Sequence, residues 1–155
     1  MIIKWTEDLT VGHETLDKEH QKWIALLNDF YQGLMDGKSK EKLTDLVVGM
    51  LDYTKYHFAN EEKYMKSIGY PDFEAHKEKH DFYVDKITEF YEKIKNDEMI
   101  LSLEVTNFLK TWLINHIKGT DQQYARYANN IWSAITKPFL LWSNGHRNTK
   151  WISLT

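Results

Sequence analysis

Apolar residues recur at intervals of three and four along most of the chain, a period that predicts helices and leaves no strand pattern to compete. A first helix is expected from about Asp17 to Asp36, with Leu16, His20, Trp23, Ile24, Leu27, Tyr31 and Leu34 on one stripe and Gly37 ending it. Ser39 suits the N-cap of a second helix to about Lys66, whose stripe is Leu43, Leu46, Val47, Met50, Thr54, His57, Glu61, Tyr64 and Met65. The Gly69-Tyr70-Pro71 turn stops it. Asp72 is read as the cap of a third helix to about Lys95, striped by His76, His80, Tyr83, Ile87, Phe90 and Ile94, and Asn96-Asp97 breaks that helix. The fourth starts near Ile100, carries Leu101, Val105, Phe108, Leu109, Trp112, Leu113 and His116, and has the pattern to continue past Gly119 to Ala128 or beyond. Residues 1–14 hold no sustained period and are read as an extended arm in which Trp5 and Val11 pack on the domain.

Four amphipathic helices of roughly 19 to 27 residues would be about 28 to 40 Å long, and short connections favour antiparallel neighbours. The expected fold is all-α, an up-down-up-down antiparallel four-helix bundle with an N-terminal arm. Near residue 130 the composition changes: no acid follows Asp121, while Arg126, Lys137, Arg147 and Lys150 stand among Trp132, Trp142 and Trp151. Pro138 is expected to end any helix reaching that far. The domain is therefore placed at 1–131. Residues 132–155 are read as a C-terminal tail that docks loosely or is partly disordered, with an aromatic, basic interaction segment as the alternative.

The 155 residues suit one domain, and a chain of this size buries roughly 68 to 70% of its unfolded surface without needing staples. There is no Cys, which excludes disulfides, thiolate-held zinc, iron–sulfur clusters and thiol catalysis, so any metal must be held by His and carboxylates. A formal net charge of −3 with interspersed Lys and Arg does not suggest nucleic acid as a partner. The opening MIIKWTEDLT lacks the apolar core of a secretory signal, and no run reaches the roughly 18 apolar residues of a membrane span. A soluble, cytoplasmic protein is the expectation; the oligomeric state is left open.

The chemistry gathers in His57 to His80, HFANEEKYMKSIGYPDFEAHKEKH. His57 and Glu61 are four apart, as are His76 and His80, so each pair shares one helix face on either side of the turn. His20 joins them from upstream, and His116 and Asp121 from downstream. A single histidine on an apolar stripe is usually a hydrogen-bonded core residue. Here five of the seven histidines fall on inward stripes of four helices. Two carboxylates share those stripes, where an unpaired buried charge would cost several kcal/mol. A metal centre removes that cost. His13 and His146 lie outside the stripes and are read as surface residues, and Glu62, Lys77, Glu78 and Lys79 as a solvated face. The interval from His116 to Asp121 is irregular, because five residues turn an ideal helix by about 500°. A π-type widening or a bend near Gly119 would return Asp121 to the common face.

His20, then HFANE, HKEKH and HIKGTD, resemble the hemerythrin signature, specifically that of bacterial single-domain hemerythrins. VGHETLDKEH, the GYP turn and FLKTWLINHIKGTD add to the resemblance, which covers about residues 1–130 and departs from it at the tail. It implies two non-haem irons with a bridging oxo or hydroxo group. His76, His80 and His116 would hold one iron, His20 and His57 the other, with Glu61 and Asp121 bridging.

Counting ligands supports this independently. Two six-coordinate metals offer twelve positions, of which five imidazoles, two bridging carboxylates and one bridging oxygen fill eleven. One is left for a small ligand, and an all-nitrogen-and-oxygen set suits iron or manganese. With only two carboxylates, against the four of di-iron enzymes that activate O2, the set favours reversible O2 binding over O2 cleavage. The first reading is an O2 carrier, store, sensor or delivery protein rather than an enzyme, with an O2-using protein or a reductase as a further partner. The second is a di-iron oxidase, peroxidase or nitric-oxide-handling enzyme. Leu113, Trp112 and Ile24 are candidates for an apolar wall over the open position, against the plainer reading of ordinary core packing.

Overall fold

The computed structural model describes residues 1–96 and 103–145. It is an up-down-up-down bundle of α1 (Glu14–Met35), α2 (Lys40–Ser67), α3 (Phe73–Lys95) and a fourth long element in three parts. That element is α4 (Leu103–Asn115), a π-helical turn (His116–Asp121) and α5 (Gln122–Gly145). Packing joins α1 to both α2 and α4, and α2 to α3. Between α3 and α4, Phe90 meets Phe108 edge-on at 5.5 Å and Tyr83 stacks on Trp112 at 4.0 Å.

The turns explain why α2 comes back along α1 and α3 along α2. At the end of α1 the Lys38 amide donates to the Gly33 carbonyl (3.0 Å) and the Gly37 amide to Leu34 (3.1 Å), around Gly37 at φ +65°. The end of α2 repeats the motif: Tyr70 donates to Met65 (3.0 Å) and Gly69 to Lys66 (3.1 Å), with Gly69 at φ +63°. Both satisfy carbonyls that a helix end leaves bare, and both need a residue without a Cβ in the left-handed region. Ser39 caps α2 by accepting from the Lys42 amide. Asp72 stands at the N-cap of α3 but its side chain makes no capping bond. Its backbone, at φ −93° and ψ 26°, is not in the extended conformation that aims a capping oxygen at the first turn. The first helix starts at Glu14 rather than Asp17, capped by His13, whose Nδ1 accepts from the Leu16 amide.

The arm is pinned by side chains. Asn28 accepts from the amides of Ile2 (2.8 Å) and Ile3 (3.1 Å) and donates to the Ile3 carbonyl. Asp17 accepts from Val11, and Gln122 donates to the Thr10 carbonyl. Ile3, Leu9 and Val11 are buried, Trp5 packs against the core, and Glu7–Leu9 forms a 3-10 turn within the arm.

The core has two parts. The larger is built on Trp23, Leu27, Phe30, Met50, Phe58, Tyr83, Ile87, Leu109 and Leu113, and the smaller on Val11, Leu16, Met65, Tyr70, Tyr124 and Ala125. On α1 it is Phe30 that is fully buried, with Tyr31 half-buried beside it. No helix among the described residues is long and apolar enough to cross a membrane.

One expectation for the C-terminal region changes: Pro138 does not terminate α5, which runs to Gly145. A proline removes one backbone hydrogen bond and crowds one carbonyl, which bends a helix as readily as it breaks one. Trp132 and Ile135 on this helix are exposed. Residues 146–155, with His146 and Trp151, lie outside the described residues.

Candidate metal centre

Each helix of the bundle delivers its part of the set by simple periodicity: His20 from α1, His57 and Glu61 from α2, His76 and His80 from α3. His116 and Asp121 come from the two ends of the π turn. The wider turn brings Asp121 back onto the inward face, and both residues are buried. All seven side chains converge, none more than 3% exposed.

The set divides into two groups that share a carboxylate. His76, His80 and His116 gather with Glu61, and His20 and His57 gather with the same Glu61. Nε2 of His80 lies 3.1 Å from Nε2 of His76 and 3.0 Å from Nε2 of His116. On the other side the His20 and His57 rings are 4.6 Å apart. Each carboxylate faces both groups. Glu61 sets Oε2 3.0 Å from His80 and 3.6 Å from His76, while Oε1 lies 4.0 Å from His20. Asp121 sets Oδ1 3.0 Å from His116 and 3.3 Å from His76, and Oδ2 3.4 Å from His20.

Charge and solvation make the arrangement unusual for a protein core. Burial alone would raise the Glu61 carboxyl, but hydrogen bonds with His76 and His80 outweigh it and hold Glu61 well below the ordinary range. Burial and the neighbouring Glu61 charge also oppose ionisation of Asp121, and His116 and His76 overcome them. Burial would lower His76, yet its hydrogen bonds with Asp121 and Glu61 lift it to about 9. His20 is brought down to about 4 chiefly by burial. Without a cation, the paired carboxylates therefore depend on a protonated imidazole.

Several buried atoms lie near one another without forming a hydrogen bond of good geometry: both nitrogens of His20, Nε2 of His57, Oε2 of Glu61 and both oxygens of Asp121. Orphaned buried donors and acceptors are rare and costly. That they cluster among five imidazoles and two carboxylates fits a pair of metal ions. Metal–imidazole bonds of about 2.1 Å put adjacent ligands of an octahedron about 3.0 Å apart. The Nε2 spacings of 3.0 and 3.1 Å around His80 have that dimension.

Around the set lies a ring of residues that sequence periodicity did not single out. Glu19 accepts from Nδ1 of His57 at 2.9 Å and is itself held by Asn60 at 2.7 Å. Glu62, expected on a solvated face, lies 3.1 Å from Nδ1 of His80, and Lys79 donates to Thr120. Glu62 reaches the neighbouring helix because a long side chain one position from the inward stripe crosses the helix boundary, whereas Lys79 stays exposed as expected. Lys77 does pair along the surface, with Asp81. His13, expected at the surface, is half-buried against Tyr64. Tyr124 donates to Oε1 of Glu61 at 2.7 Å from full burial. Phe58 stacks on His80 at 3.6 Å, and Trp112, already placed on the fourth helix's stripe, stacks on His116 at 4.3 Å. Adjacency to a ligand in sequence, as in Glu19-His20 and Glu61-Glu62, was the available signal for the two acids.

Comparison with known proteins gives the chain its family. The hemerythrin HHE cation binding domain matches residues 11–128. A bacteriohemerythrin of Stenotrophomonas maltophilia is 33% identical over 124 residues, 80% of each chain. A myohemerythrin of Theromyzon tessulatum is 34% identical over 121 residues, 78% of this chain and 89% of that one. Among solved structures, a wild-type hemerythrin superposes with a TM-score of 0.77 at 27% identity, over 81% of this chain and 97% of that one. By sequence pattern, relatives and fold alike, the chain belongs to the hemerythrin family.

Proposed function

We propose that this protein binds O2 reversibly at a non-haem di-iron centre held by His20, His57, Glu61, His76, His80, His116 and Asp121. The observation that carries the reading is the unequal pair of groups sharing two carboxylates. Three imidazoles stand on one side and two on the other, and each of Glu61 and Asp121 turns one oxygen toward each side. Irons held by these residues would supply a redox-active pair able to take a small ligand.

The chain's own residues set the conditions for reversibility. Trp23 lies 5.3 Å from the His57 ring, and Ile24, Leu27, Phe58 and Leu113 are buried in the same core. That apolar surround excludes the water that would complete an irreversible oxidation. Ile24 and Leu113 remain the candidates for the wall of the ligand position, while Trp112, stacked on His116, serves the three-histidine side. Tyr124 keeps a proton at Oη and directs it to Glu61. Two carboxylates, rather than four, leave the pair more positive and less able to support strong oxidants. The reading is a binding protein, in the role of carrier, store, sensor or delivery module.

The test is repeated oxygenation and deoxygenation of the reduced, iron-loaded protein, followed by its visible spectrum. One O2 per two irons, released under vacuum through several cycles, is expected. Oxidation at the first exposure, with no oxygenated species on rapid mixing, would replace the binding reading with that of an oxidase.

A further inference from the structure

We infer that Glu19 and Glu62 are positioning residues that set the donor strength of the two halves of the centre, Glu19 through His57 and Glu62 through His80, with Glu19 the stronger. The inference rests on the di-metal reading above and goes beyond it to what tunes each half.

One imidazole in each group has its outer nitrogen on a carboxylate: Nδ1 of His57 on Glu19 at 2.9 Å, and Nδ1 of His80 on Glu62 at 3.1 Å. A carboxylate can only accept, so Nδ1 carries a proton in both rings and Nε2 is the nitrogen left to face a metal. For His57 that inward nitrogen has no protein partner at all. For His80 it lies within 3.1 Å of the inner nitrogens of His76 and His116. By contrast, Nδ1 of His20 and Nδ1 of His76 are without partners. The carboxylates thus serve one ring per half rather than every ring.

A negative charge behind an imidazole makes its inner nitrogen a better donor and favours the more oxidised metal. How strongly depends on screening, and the two acids differ there. Glu19 is 6% exposed and clamped by Asn60. Glu62 has a 19% exposed side chain in a groove of about 530 Å³ that also admits Lys55, Lys77, Asp81 and Asp85. The groove opens Glu62 to solvent screening, while the charges beside it are of both signs and Lys77 is paired with Asp81; Glu19, closed off by burial, is screened less. The half containing His57 therefore carries the more electron-rich ligand.

The experiment uses the full chain with Glu19→Gln, Glu62→Gln and both together, since glutamine keeps the shape and an acceptor oxygen but removes the charge. Co2+ alone, titrated against a chelator, reads ligand positioning without iron or O2. Affinity should fall about 10- to 100-fold in Glu19→Gln and less in Glu62→Gln. In iron-loaded protein the preference for the oxidised state should fall about tenfold in Glu19→Gln, equal to a rise of about 59 mV in a one-electron potential. Glu19→Asp, which keeps the charge, should recover part of both. Parent-like Co2+ affinity and potential in the two glutamine variants would overturn the inference, and a larger effect at Glu62 would overturn the ranking. Should Glu19→Gln fail to fold, Glu62→Gln decides, because its part-exposed carboxylate is dispensable to the core. Absence of reversible O2 binding in the parent would remove the functional reading and leave the Co2+ comparison standing.

Discussion

Tyr124→Phe removes one oxygen atom from the core and tests how much the centre depends on hydrogen bonds that are not to metal. Tyr124 is fully buried, and its hydroxyl donates to Oε1 of Glu61 at 2.7 Å. Phenylalanine fills the same volume apart from the oxygen, so packing against Tyr64 and Tyr70 survives and the cavity cost is small. What is lost is a buried hydrogen bond to a charged group, about 1.5 to 3 kcal/mol. For a chain of this length that corresponds to a fall in Tm of about 3 to 12 °C. The sign with pH follows from Glu61, whose carboxyl is held low in the fold by His76 and His80 against the effect of burial. Stability drawn from its ionised form is present above the unfolded carboxyl pKa and is lost as pH falls through the lower folded value. The deficit of the variant should therefore be full at pH 7 and shrink only in strong acid. Circular dichroism of metal-free protein during heating measures it, and chelator-driven iron loss measures the same bond in loaded protein. If both the Tm at pH 7 and the rate of iron loss match the parent, the Tyr124–Glu61 bond contributes nothing and its place in the site is incidental.

Other substitutions probe the remaining parts. His57→Ala and His76→Ala should each lower iron content below two per chain by elemental analysis, since each removes a ligand from a different group; one iron per chain in fully loaded parent would refute the dinuclear arrangement. Leu113→Ala, at a fully buried position, should cost about 2 to 5 kcal/mol in urea unfolding and speed irreversible oxidation, whereas an oxidation rate equal to the parent in folded protein would remove Leu113 from the ligand pocket. Metal-free protein should lose stability as pH rises, because burial lowers His76 but its bonds with Asp121 and Glu61 lift it to about 9; that contribution is full below about 6.5 and gone once pH passes the folded value, so a flat Tm between pH 7 and 10 would contradict it. Loaded protein should release metal on acidification through the range where imidazoles compete for protons, with retention of both irons at pH 4 as the contrary result.

Much of this was legible in the sequence, for a physical reason. Helical period fixes which residues share a face, so the stripes that name the core also place His57 with Glu61 and His76 with His80. The widened turn before Asp121 could be foreseen because five residues overshoot a common face. Side chains that act from the edge of a stripe escaped. Glu19 and Glu62 each sit one position, roughly 100°, from the inward direction, and only the neighbouring helix reveals that they reach His57 and His80. Tyr124 was hidden for a related reason: the π turn moves the frame in which its face must be judged. At Asp72 and Pro138 residue preference was overruled by context, in one case by the backbone angles of a tight turn and in the other by a helix long enough to absorb one missing hydrogen bond.

The π turn also makes the fourth element lopsided toward changes of length. Rows of side chains before His116 and after Asp121 belong to two helical frames offset by one residue. Loss of a residue between Ile117 and Thr120 would leave His116 and Asp121 four apart, a spacing that an ordinary α-helix still turns to one face. Gain of a residue would set them six apart, roughly 120° out of line, and would carry Tyr124, Ala125 and Ala128 away from the core with Asp121. Shortening here simplifies the helix, whereas lengthening dismantles the site and its surroundings in a single step.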